Sequence, residues 1–137
     1  MTNSEAVEHI EGYLKGAVDA APASMHMVRT KEEPDGGGGC SKSRFYDDFT
    51  GQVQAYVAYE SSKVTPDVAS QYLDTVARVW EQQYGPVDRS KGHLGVRIDD
   101  GKFTLYGNSW PGASTVTISG TSECIWIDGT PGPDDNP

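Results

Sequence analysis

Apolar residues along the chain recur with two periods, and the change from one to the other marks out the elements. Between Thr65 and Gly85, TPDVASQYLDTVARVWEQQYG, the residues Ala69, Tyr72, Leu73, Val76, Ala77 and Trp80 return at steps of three and four. They therefore share one face of a helix. Ser70, Gln71, Asp74, Arg78, Glu81 and Gln82 take the other face, with Asp74 and Arg78 one turn apart and placed to pair. Thr65 can cap the first turn, Pro66 suits the first helical position, Asp67 favours the positive end of the dipole, and Gly85-Pro86 is a stop. Residues 2–21 carry the same period through Ala6, Val7, Ile10, Leu14, Ala17 and Val18, and Pro22 ends the run. Thr2 and Glu5 have capping-box spacing, with Ser4 as a rival cap. Gly12 and Gly16 each weaken this helix by about 1 kcal/mol relative to alanine. Two explanations stand for them: close approach of another backbone, or tolerance at a surface.

Elsewhere the period is two. Met25–Thr30 is a short strand candidate with Met25 and Met27 facing one way, His26 and Val28 the other. Gln52–Glu60 alternates well, with Val53, Ala55, Val57 and Tyr59 on one face. His93–Asp99 and Lys102–Gly107 flank Asp100-Gly101, the turn residues of a tight hairpin. Thr115–Thr121 is a further strand that Glu123–Ile127 extends. Residues 31–43 and 108–114 read as loops, the second displaying Trp110. The order α-β-β-α-β-β-β predicts an α+β two-layer sandwich, with an antiparallel sheet of roughly five strands and both helices on one face. A single domain is expected over 1–127, and 128–137 form a polar Gly/Pro-rich tail.

Charge narrows the partners. The net charge of −9 over 137 residues argues against nucleic acid and anionic headgroups, and fits a protein partner with a basic face. No apolar run has the length of a membrane span, so the chain is expected to be soluble. Met1-Thr2-Asn3-Ser4 runs straight into the first helix, so an export segment is expected to have been removed and Met1 added. Cys40 and Cys124 lack CxxC spacing; they are either one long-range disulfide or two unrelated thiols. Two otherwise exposed thiols are a liability in an envelope protein, which favours the bond and with it an oxidising compartment.

Candidate chemistry is thin. Gly36–Ser43 (GGGGCSKS) departs from a phosphate-binding loop, because Ser41 stands where the glycine before Lys42 is required. Met25-His26-Met27 suggests a soft-metal site, but on a strand the sulfurs face away from the imidazole. His9 and His93 lie on other elements, so no metal is expected. The acidic pairs Glu32-Glu33, Asp47-Asp48 and Asp99-Asp100 are sequence neighbours, which diverge rather than face each other across a cleft. No GxSxG frame supports a nucleophile. We therefore expect no catalytic residues, no cofactor and no enzyme. Trp110 on its Pro-Gly loop is the aromatic to anchor an interface, joined by Tyr46 and the acids Asp47, Asp48, Asp99 and Asp100. Trp80, Tyr72, Val57 and Phe103 are assigned to the core.

Three signatures carry a resemblance. They are Gly39-Cys40-Ser41 after a helix and strand, the helix with Leu73, Val76 and Trp80 leading to Tyr84-Gly85 and then the Asp100-Gly101 hairpin, and Glu123-Cys124-Ile125-Trp126 before a Gly/Pro-rich end. Together they resemble the mature domains of small cell-envelope lipoproteins from high-GC Gram-positive bacteria, streptomycete-like ones above all. The resemblance implies a Cys40–Cys124 bond, an extracytoplasmic location and a lipid tether, although the lipobox cysteine is absent from this chain. Most of that group has no assigned activity. The expected function is a non-enzymatic domain that binds a protein partner, as an immunity protein, inhibitor or sensor regulator would. The alternative is a carrier of a lipid or small apolar ligand, with Met25, Met27, Tyr72 and Trp80 lining its pocket.

Overall fold

The computed structural model describes residues 1–30, 39–41, 49–90, 92–109 and 114–126. The expected tail at 128–137 lies outside them. Helix α1 (Asn3–Asp19) starts from a closed capping box. The Glu5 N–H donates to Thr2 Oγ1 at 3.1 Å, and the Thr2 N–H donates to the Glu5 carboxylate at 2.9 Å. Hydrogen bonds to the carboxylate from the Thr2 backbone N–H first, and from the Thr2 side chain, hold the Glu5 carboxyl below its ordinary range. There follow β1 (Val28–Arg29), β2 (Gly39–Ser41), β3 (Phe49–Glu60), α2 (Pro66–Tyr84), β4 (Asp88–Ser90), β5 (His93–Ile98), β6 (Phe103–Ser109) and β7 (Val116–Trp126). Thr65 caps α2 through Oγ1, which accepts from the Val68 N–H at 3.2 Å, and Pro66 occupies the first turn.

The strands form one antiparallel sheet in the order β1-β3-β7-β6-β5-β4, with β2 also paired to β3. The α+β class with helices over an antiparallel sheet is as the periodicities imply, but among the described residues the sheet has seven strands. The two extra strands are β2 and β4. Each is three residues long, one inside a glycine-rich run and one polar and exposed throughout, so neither has an apolar alternation to betray it. The segment read as a strand from Met25 pairs only at Val28 and Arg29. Ala23–Met25 is instead a single 3₁₀ turn, and His26 leaves it in the left-handed region at φ 49°. That turn sends Met25 into the core and breaks the alternation proposed for Met25, His26 and Met27.

Both helices cover the same face. α1 lies over β3 and β7, α2 over β5 and β6. Each helix settles above a glycine. A Cβ on Gly120 would stand 2.6 Å from Ile10 and 2.9 Å from Leu105; one on Gly107 would meet Leu73, Ile118 and Leu94 at 3.3 Å each. Between the layers, Ile10, Leu14, Val57, Val76, Trp80, Leu105 and Ile118 are wholly buried. Tyr72 and Phe103 are buried beside them, so the aromatics assigned to the core are there.

The helices are joined by tyrosines. Tyr72 donates its hydroxyl to Ala17 O at 2.6 Å, and Tyr84 donates to Tyr13 O at 3.0 Å. Ala17 is in the last turn of α1, where carbonyls lose their helical partners, so Tyr72 acts as a cap supplied by the neighbouring helix. A Cβ on Gly16 would meet the Val79 and Gln83 side chains of α2 at 3.4 Å, whereas one on Gly12 would meet nothing within 4 Å. No backbone approaches at either glycine: side chains of α2 lie beside Gly16, and Gly12 faces open space. Asp74 pairs with Arg89 of β4 and not with Arg78, which approaches Thr75 Oγ1 at 3.5 Å. The β4–β5 hairpin brings Arg89 to α2, a contact that helix periodicity alone cannot anticipate.

Candidate functional site

Cys40 and Cys124 are bonded, with Cα atoms 6.3 Å apart across a sequence separation of 84. The bond ties β2 to β7, which pair with β3 from opposite sides, and fits an extracytoplasmic location. Next to it the β3–β7 ladder contains a bulge: Gln54 pairs with Cys124 and Tyr56 with Thr121, so β7 has one residue too many. Ser122 Oγ accepts the Ala55 N–H there at 2.9 Å and donates to Glu123 O at 2.7 Å. A serine among strand residues gives no sequence signal for this; only the register shows why it is buried.

Of the interface residues expected from the sequence, Asp99 and Asp100 are described, and both are exposed. They stand at φ 56° in the β5–β6 turn, which the Lys102 N–H closes on Asp99 O at 3.1 Å. Turn formation explains both residues. Trp110, Tyr46, Asp47 and Asp48 lie outside the described residues, as does most of the Gly36–Ser43 run.

The surface that sequence reading missed is the outward face of α1. Two adjoining depressions lie along it, of about 430 and 480 Å³, sharing Glu8 and Gly12. Glu5, His9 and Tyr13 complete the first; Glu11, Lys15, Val18, Asp19 and Tyr59 complete the second. Glu11 pairs with Arg29 at 2.7 Å and Asp19 with Lys15 at 3.0 Å. Glu5 and Glu8 make no salt bridge among the described residues. The wall of the first depression is firmly built. The Tyr13 ring packs edge-on against Tyr84 and Phe103, at centroid distances of 5.7 and 5.2 Å, and His9 stacks on it at 6.3 Å. Phe103 is the first residue of β6, so the Asp99–Asp100 turn lies at the same end of the molecule. The spacing Glu5, Glu8, Glu11 around Gly12 was the available signal.

The three histidines stay apart, on α1, after the 3₁₀ turn and on β5. His93 Nδ1 shares a short hydrogen bond of 2.5 Å with Asn108 Oδ1 across the β5–β6 ladder. Among the described residues no three His, Cys, Asp or Glu side chains are grouped for a metal ion, and no helix is long and apolar enough to cross a membrane.

No protein-family model, curated protein or solved structure matches the chain.

Proposed function

We propose that this chain is the mature domain of an extracytoplasmic lipoprotein, non-enzymatic, which binds a protein partner carrying a basic face. The observation that carries the reading is where the negative charge sits. Against a net charge of −9, no described Asp or Glu is buried, and those of α1 line two depressions flanked by tyrosines. Such a surface attracts a cationic partner and steers its approach. The Cys40–Cys124 bond supports a site of action outside the cytoplasm. The lipid tether and the actinobacterial kinship rest on the sequence resemblance. An immunity protein, an inhibitor and a sensor regulator would each use an acidic docking domain in this way.

The test is gentle co-purification from the native cell envelope at low and high salt. A stoichiometric basic partner that dissociates as salt rises is the expected result, and recovery of the chain alone counts against the proposal. The carrier alternative has weaker support. Met25 and Trp80 are fully buried in a continuous core, and the Tyr72 hydroxyl is committed to Ala17.

A further inference from the structure

We infer that the sheet face opposite the helices docks a second copy of this chain, the two sheets packing about a two-fold axis so that Glu60 of each copy pairs with Arg97 of the other. The inference is independent of the protein-binding reading and leaves the helix layer of both copies open.

Both helices lie on one side of the sheet, and among the described residues no element covers the other. The registers set its outward side chains in rows across the strands. The middle row runs Ala58, Ser119, Tyr106 and Gly95 over β3, β7, β6 and β5. The row on one side of it begins at Glu60 of β3, and the row on the other side ends at Arg97 of β5. With histidine neutral, these two are the only charges in the three rows.

That balance selects the occupant. A chain of net charge −9 repels its own copies over most of its surface, whereas the three rows sum to zero. Glu60 and Arg97 are both exposed, and neither makes a salt bridge among the described residues. They stand at opposite corners, three strand spacings apart across the sheet and four residues apart along it, roughly 14 Å by 13 Å. A two-fold axis between the sheets, over the Ser119–Tyr106 pair and perpendicular to that diagonal, carries each Glu60 onto the Arg97 of the other copy. The same rotation crosses the strands at about 90°, one of the two angles at which sheets pack face to face.

The centre of the face suits that axis. Tyr106 is 40% exposed, and its neighbours in the row, Ser119 and Gly95, are too small to enclose it. Glycine weakens a strand interior, and a Cβ on Gly95 would meet nothing within 4 Å, so packing within one copy does not ask for it. The two Tyr106 rings meet at the axis as an aromatic pair, each with a small residue on either side to lie over. The patch is roughly 20 Å square, so two copies bury on the order of 1,000 Å². That is enough for a reversible dimer and too little for an obligate one.

Sedimentation velocity of the purified chain over a range of concentrations is the test, and a reversible monomer–dimer equilibrium is the expected result. Glu60→Arg and Arg97→Glu each set like charges together at both corners and should weaken the dimer by roughly tenfold or more. The double variant restores opposite charges and should recover it. An equimolar mixture of the two single variants should form a mixed dimer, because each then supplies the charge that the other lacks. Gly95→Val places a good strand former in the hollow, so it should abolish association without lowering the melting temperature of the monomer. A chain that stays monomeric up to its solubility limit overturns the inference. So does a dimer indifferent to either reversal, or a double variant that fails to recover.

Discussion

Helices α1 and α2 rest on one sheet face, each above a glycine, yet they are built to different ends. α2 buries Ala69, Tyr72, Leu73, Val76, Ala77 and Trp80, with a cap at its start and an outer face whose Asp74 is tied to Arg89 of β4. α1 buries only Ala6, Ile10, Leu14 and Ala17, keeps two glycines, and leaves Glu5 and Glu8 exposed, with Glu5 held to the Thr2 N–H. Its stability is borrowed. Tyr72 and Tyr84 reach over from α2 to its carbonyls, and β7 beneath it is fastened to β2 by the Cys40–Cys124 bond. One helix works as the fixed wall of the sandwich. The other, supported from outside, is left free to present a surface.

If that division holds, the largest loss should follow from cutting the staple. Replacing both Cys40 and Cys124 by serine should cost up to roughly 4 to 5 kcal/mol, because the bond closes a very long loop in the unfolded chain. Denaturant unfolding gives the total. Hydrogen exchange should then show α1, β3 and β7 losing protection more than α2. The two glycine seats come next. Gly120→Ala forces a methyl against the branched Ile10 beside its backbone and should cost about 1 to 3 kcal/mol. Gly107→Ala meets only side-chain ends at the edge of contact and should stay within about 1 kcal/mol by thermal melting.

A smaller effect should come from Tyr72→Phe, which leaves Ala17 O without its donor and should cost about 1 kcal/mol at neutral pH. Burial pushes the Tyr72 phenol well above its ordinary value. The folded state therefore prefers the neutral phenol, and this contribution is whole below the ordinary phenol pKa of about 10 and drains away as pH rises beyond it. Stability measured from neutral to alkaline pH should fall less steeply in Tyr72→Phe than in the parent. Smallest, and of opposite sign, is Gly12→Ala. With open space at the Cβ, it should stabilise the fold by up to about 1 kcal/mol. A loss of stability there would mean that α1 is tighter at its outward face than described.

The same contrast explains what could be read in advance. α2, its Thr65 cap, the Thr2–Glu5 box, the Asp100-Gly101 turn and the long strands all follow from local rules, since each depends on residues within a turn or two. Where the decisive neighbour is distant in sequence, the chain alone is mute. Arg89 captures Asp74 from another element, Ser122 fills a bulge created by the register of β3, and β2 exists only because β3 lies beside it. The α1 depressions were hidden for a related reason. Glutamates on a helix surface look like solubility until tertiary packing fixes Tyr13 and brings Tyr59 alongside. Met25 reads as strand from the sequence because a three-residue 3₁₀ turn imitates the start of one.

The middle of the sheet is the pair β3 and β7, whose partners, such as Val57 and Gly120, are far apart in sequence. β3 thus waits for a strand made long after it, and β6 waits for the same partner. Contacts between residues so far apart in sequence are slow to form, so the return of β7 onto β3 should set the pace at which the sheet closes.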